Sequence, residues 1–193
     1  MNVFTKKVFD KKAQKRKSPL LFQKGLSLIE ASMVLALSAI VVSGVMYYYQ
    51  AASDNNKTQT TVSEVMSIVS AINGLYIGNS GYAGLSQSVI YNTSAVPENY
   101  KTPDQKIMHP FGGEVKLGPT SDNKYYIILE DVPRGPCVNL ASMNLGTSLA
   151  GVEVGVDENK AKNKWVPKHK VLSPKNASDS CKQDANRIAF LLK

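Results

Sequence analysis

The sequence has few of the side chains on which most catalytic and metal sites depend. Its 193 residues include two histidines and two cysteines, with no glycine-rich phosphate loop and no G-x-S-x-G nucleophile turn. His109 and His169 lie far apart in the sequence, and neither belongs to a group of residues at metal-ligand spacing. We therefore predict no enzymatic activity, no metal and no cofactor. We interpret His109, beside Pro110, as an exposed loop residue.

Charge is almost absent from one long stretch. Residues 26–49 contain no proline, and Glu30 is their only charged side chain. As a helix, these 24 residues would reach about 36 Å, enough to span the roughly 30 Å hydrocarbon core of a bilayer with some tilt. A carboxylate inside a bilayer is costly. Glu30 therefore either lies at the solvated headgroup boundary or meets a cation in an assembled state.

Acidic residues are also scarce at the amino terminus. Residues 1–25 carry eight basic residues against Asp10 alone, a net charge of +7, whereas the rest of the chain carries 15 basic and 14 acidic residues. This asymmetry predicts a cytoplasmic leader and an extracytoplasmic segment after Tyr49. It leaves little general attraction to nucleic acid outside the leader. An ordinary secretory signal cut near Gln50–Ser53 is the weaker interpretation, because the apolar run is too long for one.

After the apolar run the pattern becomes amphipathic. Apolar residues from Val62 to Tyr76 recur at steps of three and four, so one helix should run from Leu26 to about Leu75, with Glu64 on another face. Residues 78–111 are rich in glycine and proline, and Leu85–Tyr91 predicts a short helix within them. The remaining segments are strands predicted at 114–117, 124–129, 152–156 and 187–192, and a short helix at 137–145.

The leader, one glycine and the glutamate form a motif in front of the apolar run. Lys24–Glu30, with the sequence KGLSLIE, resembles the prepilin peptidase site of type IV pilins. The long leader and the leucine at position 26 resemble the type IVb subgroup. Further stretches similar to this subgroup lie at Glu30–Tyr49, Ser70–Gly78, Pro110–Glu114 and Leu145–Ser148. The motif is specific because the glycine, the charge and the hydropathy must all agree.

This resemblance implies a fold, processing and partners. The fold would be α+β, a long amino-terminal helix packed on an antiparallel sheet. Cleavage would follow Gly25, the amine of Leu26 would be methylated, and Glu30 would pair with that amine in a neighbouring subunit. The partners would be identical subunits, the prepilin peptidase and the pilus assembly machinery. The precursor would lie in the inner membrane with its head in the periplasm, and the mature chain would form a surface pilus for adhesion and bacterial aggregation.

The resulting organisation has four parts: a leader (1–25), a hydrophobic helix (26–49), its amphipathic continuation (50–77) and an αβ head (78–193). Two other functions stay open. In the first, the chain would be a minor pilin or a type II secretion pseudopilin. In the second, it would be a membrane-anchored extracytoplasmic binding protein that uses residues 26–49 only as an anchor.

The two cysteines, Cys137 and Cys181, both lie on the predicted outer side of the membrane. In an oxidising compartment such a pair favours a disulfide, and two buried thiols are the alternative. A disulfide between them would close a loop of about 45 residues and would stabilise the fold by about 4 kcal/mol in the chain-entropy model.

A lysine-rich stretch, Lys160–Lys175, carries six lysines around Trp165. Such a stretch is most simply a solvated face with the tryptophan half packed. The alternative is a surface that grips phosphates and stacks bases. The resemblance also implies a third alternative, an adhesive role in which the stretch meets neighbouring pili or a host-cell surface.

Overall fold

The computed structural model describes residues 27–163 and 165–193. The leader and both residues of the predicted cleavage site, Gly25 and Leu26, lie outside the described residues. The described part of the chain divides into two units, and the boundary lies between Gly44 and Val45. The long helix predicted from the sequence is present as α1, Leu28–Leu75, which begins in the first unit and ends in the second.

The second unit contains a four-stranded sheet. Its strands are β1 Val115–Pro119, β2 Tyr125–Val132, β3 Leu149–Val154 and β4 Asn186–Leu192. They lie in the order β1-β2-β4-β3, and every neighbouring pair is antiparallel. The predicted α+β fold with an antiparallel sheet is therefore confirmed.

Four short helices accompany the sheet: α2 Gln87–Tyr91, α3 Arg134–Ala141, α4 Glu158–Lys162 and α5 Pro174–Ser180. The helix predicted at 137–145 was placed too late, because Pro136 lies in the first turn of α3, where proline is tolerated. The strand predicted at 152–156 was also placed too late. The structure ends β3 at Val154, before Gly155, whose φ of +85° favours glycine.

The core of the head forms between α1 and one face of the sheet. The helix contributes Val65, Ile68 and Ile72, each no more than 1% exposed, and they cluster with Ile127 of β2 and Phe190 of β4. The prediction that Glu64 lies on another face was wrong, because it is only 4% exposed. A carboxylate is therefore buried with the apolar stripe of α1.

The opposite face of the sheet is also covered. Tyr126 and Ile128 of β2 and Leu191 of β4 cluster there with Ala161 of α4 and with Trp165, which follows α4. Because both faces of the sheet are covered, β2 is buried at five consecutive residues, Tyr125 to Leu129. These residues do not alternate between buried and exposed, as they would in a strand with one face in water.

Candidate assembly site

The amino-terminal part of α1 presents apolar side chains in all directions. Among the large apolar residues up to Tyr49, Leu28 is the most exposed at 87% and Val42 the least at 57%. In the described part of the chain, α1 is the one helix long and apolar enough to cross a membrane. A helix that is apolar on all sides requires either lipid or other helices around it.

The serine hydroxyl groups of this part of α1 form hydrogen bonds within the helix. Ser32 donates to the carbonyl oxygen of Ile29 at 2.8 Å, and Ser38 donates to that of Val34 at 2.7 Å. Ser43 bonds in the same way to the residue four positions earlier. These serines need no polar partner outside the helix, so they add little to the cost of placing it in lipid.

Glu30 already has one local role at the start of α1. Its Oε2 accepts a hydrogen bond from the backbone N–H of Ser27 at 3.0 Å. Ser27 precedes the first helical residue, and Glu30 is the third helical residue, so this contact is the return half of a capping box. No bond to Oε1 occurs among the described residues. The carboxylate therefore keeps capacity for a cation while it caps its own helix.

His109 lies inside the head, and its interpretation as an exposed loop residue was wrong. It is 1% exposed, and its Nε2–H donates to the carbonyl oxygen of Glu130 at 2.6 Å. Its Nδ1 accepts the backbone N–H of Phe111 at 3.2 Å. Burial lowers the pKa of His109, so the ring is neutral and uses both nitrogens. Gly113 completes this site, because a side chain there would collide with the Glu130 carbonyl.

The side chain of Glu130 connects two strands across the sheet. Its Oε1 accepts from Lys116 Nζ of β1 at 3.0 Å and from Arg187 Nε of β4 at 3.1 Å. The hydrogen bond that Lys116 donates to Glu130 raises the pKa of Lys116, although burial opposes its charged form. This ion cluster fixes the end of β2, where Asp131 has a left-handed φ of +53°.

The predicted disulfide is present between Cys137 and Cys181. Their Cα atoms are 5.9 Å apart, and both residues are fully buried. Cys137 lies in α3 and Cys181 directly follows α5, so the bond connects two short helices that are 44 residues apart in sequence. The disulfide encloses β3, α4 and the lysine-rich stretch in one covalent loop.

Trp165 is buried, not half packed as the sequence suggested. It is 3% exposed, and its Nε1–H donates to Glu153 at 2.8 Å. The other carboxylate oxygen of Glu153 accepts from Lys160 at 3.1 Å. Burial alone would raise the pKa of Glu153, but the hydrogen bonds from Trp165 and Lys160 and the nearby charge of Lys168 lower it. The tryptophan ring is not available to stack on a nucleic acid base.

Glu64 is the functional candidate that the sequence analysis missed. Both of its carboxylate oxygens are buried without a hydrogen-bond partner among the described residues. Burial raises the pKa of Glu64 from 4.5 to about 7. Its spacing of three residues from Thr61 and four from Ile68, both buried, was the signal that placed it on the inner face of α1.

A family model described as Bundlin matches residues 50–189. The chain belongs to the bundlin family. It is 46% identical over 184 residues to the major structural subunit of bundle-forming pilus of Escherichia coli O127:H6, strain E2348/69. The same protein of Escherichia coli O111:H- is 45% identical over 184 residues. Each alignment covers 89% of this chain and 95% of the relative.

Membership of the bundlin family confirms the resemblance to type IVb pilins predicted from the sequence. Among solved structures, TcpA, a type IV pilin from Vibrio cholerae El Tor biotype, has a TM-score of 0.48 and 12% identity, and covers 72% of this chain and 99% of that chain. That likeness is too weak to add to the assignment. The proposed roles of Gly25 and Leu26 in processing and of Glu30 in assembly stay predictions.

Proposed function

We propose that this chain is the precursor of a structural subunit of a type IVb pilus. The observation that carries the proposal is the exposed apolar amino-terminal part of α1, residues 28–49, in which Glu30 is the only charged residue, in a member of the bundlin family. Before assembly the helix lies in the inner membrane. After assembly the helices of neighbouring subunits replace the lipid, because an apolar surface of this extent is not stable in water.

Processing takes place at the junction between the leader and the helix. The peptidase cuts after Gly25, and the new amine of Leu26 is methylated. The net charge of +7 on residues 1–25 supports an orientation with the leader in the cytoplasm and the head in the periplasm. Removal of the leader leaves an amine four positions before Glu30, at the start of the helix.

Assembly depends on the charge of Glu30. In a bundle of apolar helices, a carboxylate and an amine attract each other far more strongly than in water, although desolvation offsets much of the gain. The pair therefore contributes mainly to register, because only a subunit at the correct axial stagger neutralises both charges. The addition of subunits is driven by the pilus assembly machinery.

The head, stapled by the Cys137–Cys181 disulfide, coats the filament and mediates adhesion and bacterial aggregation. The two relatives at 46% and 45% identity are both major structural subunits, which favours a major pilin over a minor pilin or a pseudopilin. The proposed activity is polymerisation, and the mechanism assigns no catalytic step to the chain itself.

The decisive experiment is an intact-mass measurement on filaments sheared from the cell surface. The expected mass is that of residues 26–193 with one added methyl group and two hydrogens fewer for the disulfide. An unprocessed chain that is found only in the membrane would contradict the proposal and favour a membrane-anchored binding protein.

A further inference from the structure

The structure divides the lysines of the lysine-rich stretch into two groups. Lys160 and Lys162 pair with Glu153 at 3.1 Å and Glu158 at 2.7 Å. The lysines after Trp165 have no acidic residue beside them in the sequence. Residues 165–175, which we name the basic strap, contain three exposed lysines, Lys168, Lys170 and Lys175, and no acidic residue.

No ion pair involves these three strap lysines among the described residues. In the sequence, the nearest carboxylates before and after the strap are those of Glu158 and Asp179. Although the nearby charge of Lys168 also lowers the pKa of Glu153, no strap lysine forms an ion pair in the described part of the chain, so the strap carries a local positive charge on a chain whose residues 26–193 are close to neutral.

The strap is fixed to the head along its length. Trp165 is buried at its start, and the carbonyl oxygen of His169 accepts the backbone N–H of Val152 in β3 at 3.1 Å. Leu172 is 5% exposed, and the hydroxyl of Ser173 caps α5. A surface that is already ordered loses little conformational entropy when it binds a partner.

Two valines of the strap are exposed beside its lysines. Val166 is 74% exposed and Val171 is 37% exposed. On a nucleic acid backbone these valines would contribute nothing, and the buried Trp165 offers no ring for stacking. At a lipid surface both kinds of residue contribute, because lysines bind lipid phosphates and aliphatic side chains enter the headgroup region.

We propose that the basic strap is a docking surface for a bilayer with anionic, phosphate-bearing headgroups. The inference rests on the proposed function, because a filament presents the strap once in every subunit. Each lysine near an anionic surface strengthens binding only about fivefold. Many straps on one filament bind together, so a weak single contact becomes firm attachment.

The test uses filaments of the full-length gene product, checked by electron microscopy and then floated in a density gradient with vesicles. Filaments should float with phosphatidylcholine vesicles that contain phosphatidylglycerol, and stay behind with phosphatidylcholine alone. Added salt should release them, because it screens the lysine charges. Changing Lys168, Lys170 and Lys175 together to Gln should weaken binding by about a hundredfold or more, as expected for three lysines at about fivefold each.

A matched control changes Arg134, Lys182 and Lys193 to Gln; these exposed residues form no ion pair among the described residues, so the control removes the same charge outside the strap, and it should bind as the parent does. Val166→Ser should weaken binding without a change in its salt dependence. Equal loss in both triple variants, or binding to double-stranded DNA with none to the anionic vesicles, would overturn the proposal. If no filaments form, the proposed function fails separately, and the strap is tested on the same chain held in phosphatidylcholine nanodiscs.

Discussion

The buried carboxylate of Glu64 predicts an unusual dependence of stability on pH. Its pKa is raised by burial from 4.5 to about 7, so the folded head binds a proton more tightly than the unfolded chain does. Between those two values the folded state holds more protons, and stability falls as pH rises. A pKa difference of this size corresponds to about 3 kcal/mol, lost in full above pH 7.

The perturbation is Glu64→Gln, which keeps the shape of the side chain and removes its titration. The parent and the Glu64→Gln variant both place a polar side chain in the same apolar site. The free-energy cost of burying that polar group does not depend on pH and is common to both proteins. Part of the effect is already lost at pH 5, so at pH 8 the glutamine variant should be more stable than the parent by about 2.5 kcal/mol relative to their difference at pH 5.

The assay is denaturant unfolding of the processed chain in mild detergent, followed by tryptophan fluorescence. Trp165 is the only tryptophan and is buried in the head, so its emission reports head unfolding. Glu98→Gln is the matched control, because the side chain of Glu98 is 87% exposed. An equal stability difference between the Glu64→Gln variant and the parent at pH 5 and pH 8 would show that burial does not raise the pKa of Glu64 in the folded head.

Four further predictions concern other residues. Gly25→Val should block removal of the leader, since a bulky side chain prevents close approach of the peptidase to the backbone; normal trimming on a gel would contradict the site. Glu30→Gln can still accept the Ser27 N–H but loses the charge, so it should be processed yet should not assemble, and abundant filaments in electron micrographs would show that capping alone suffices. Cys137→Ser should destabilise the head by about 2–5 kcal/mol, visible as a lower denaturant midpoint; an unchanged midpoint would show that the disulfide is dispensable. Because burial lowers the pKa of His109 below 6.5, its contribution to stability is complete above pH 6.5 and is lost as pH falls through the folded pKa; His109→Gln should remove this acid sensitivity in the same unfolding assay.

Local patterns were enough to predict the long helix and the strands. The steps of three and four from Val62 to Tyr76 include Val65, Val69 and Ile72 of the buried face of α1, although Met66 of the same series is 47% exposed. Residues 124–129 lie almost entirely in β2. The disulfide followed from the compartment that the charge asymmetry predicts. These features depend on periodicity and composition, which a single sequence records directly.

The buried polar groups could not be predicted in this way. His109 is inside because the backbone carbonyl of Glu130 in β2, 21 residues later, accepts a hydrogen bond from its Nε2–H. Trp165 is inside because the segment after α4 returns over the outer face of the sheet. The burial of each residue depends on a contact between parts of the chain that are distant in sequence. The adjacent residues alone favour exposure for a histidine beside a proline and for a tryptophan among lysines.

The position of β4 has a consequence for the order in which the head is made. Residues 186–192 are the last strand in the sequence, yet β4 lies between β2 and β3 and provides the hydrogen-bond partners of both. A chain that crosses the membrane from its amino-terminal side therefore delivers β3 before the strand that joins it to the sheet. Until β4 arrives, both earlier strands keep an unpaired edge, which is a template for association with other chains. If the head is exported as proposed, we expect it to need protection during translocation and to complete its sheet only after β4 has crossed the membrane.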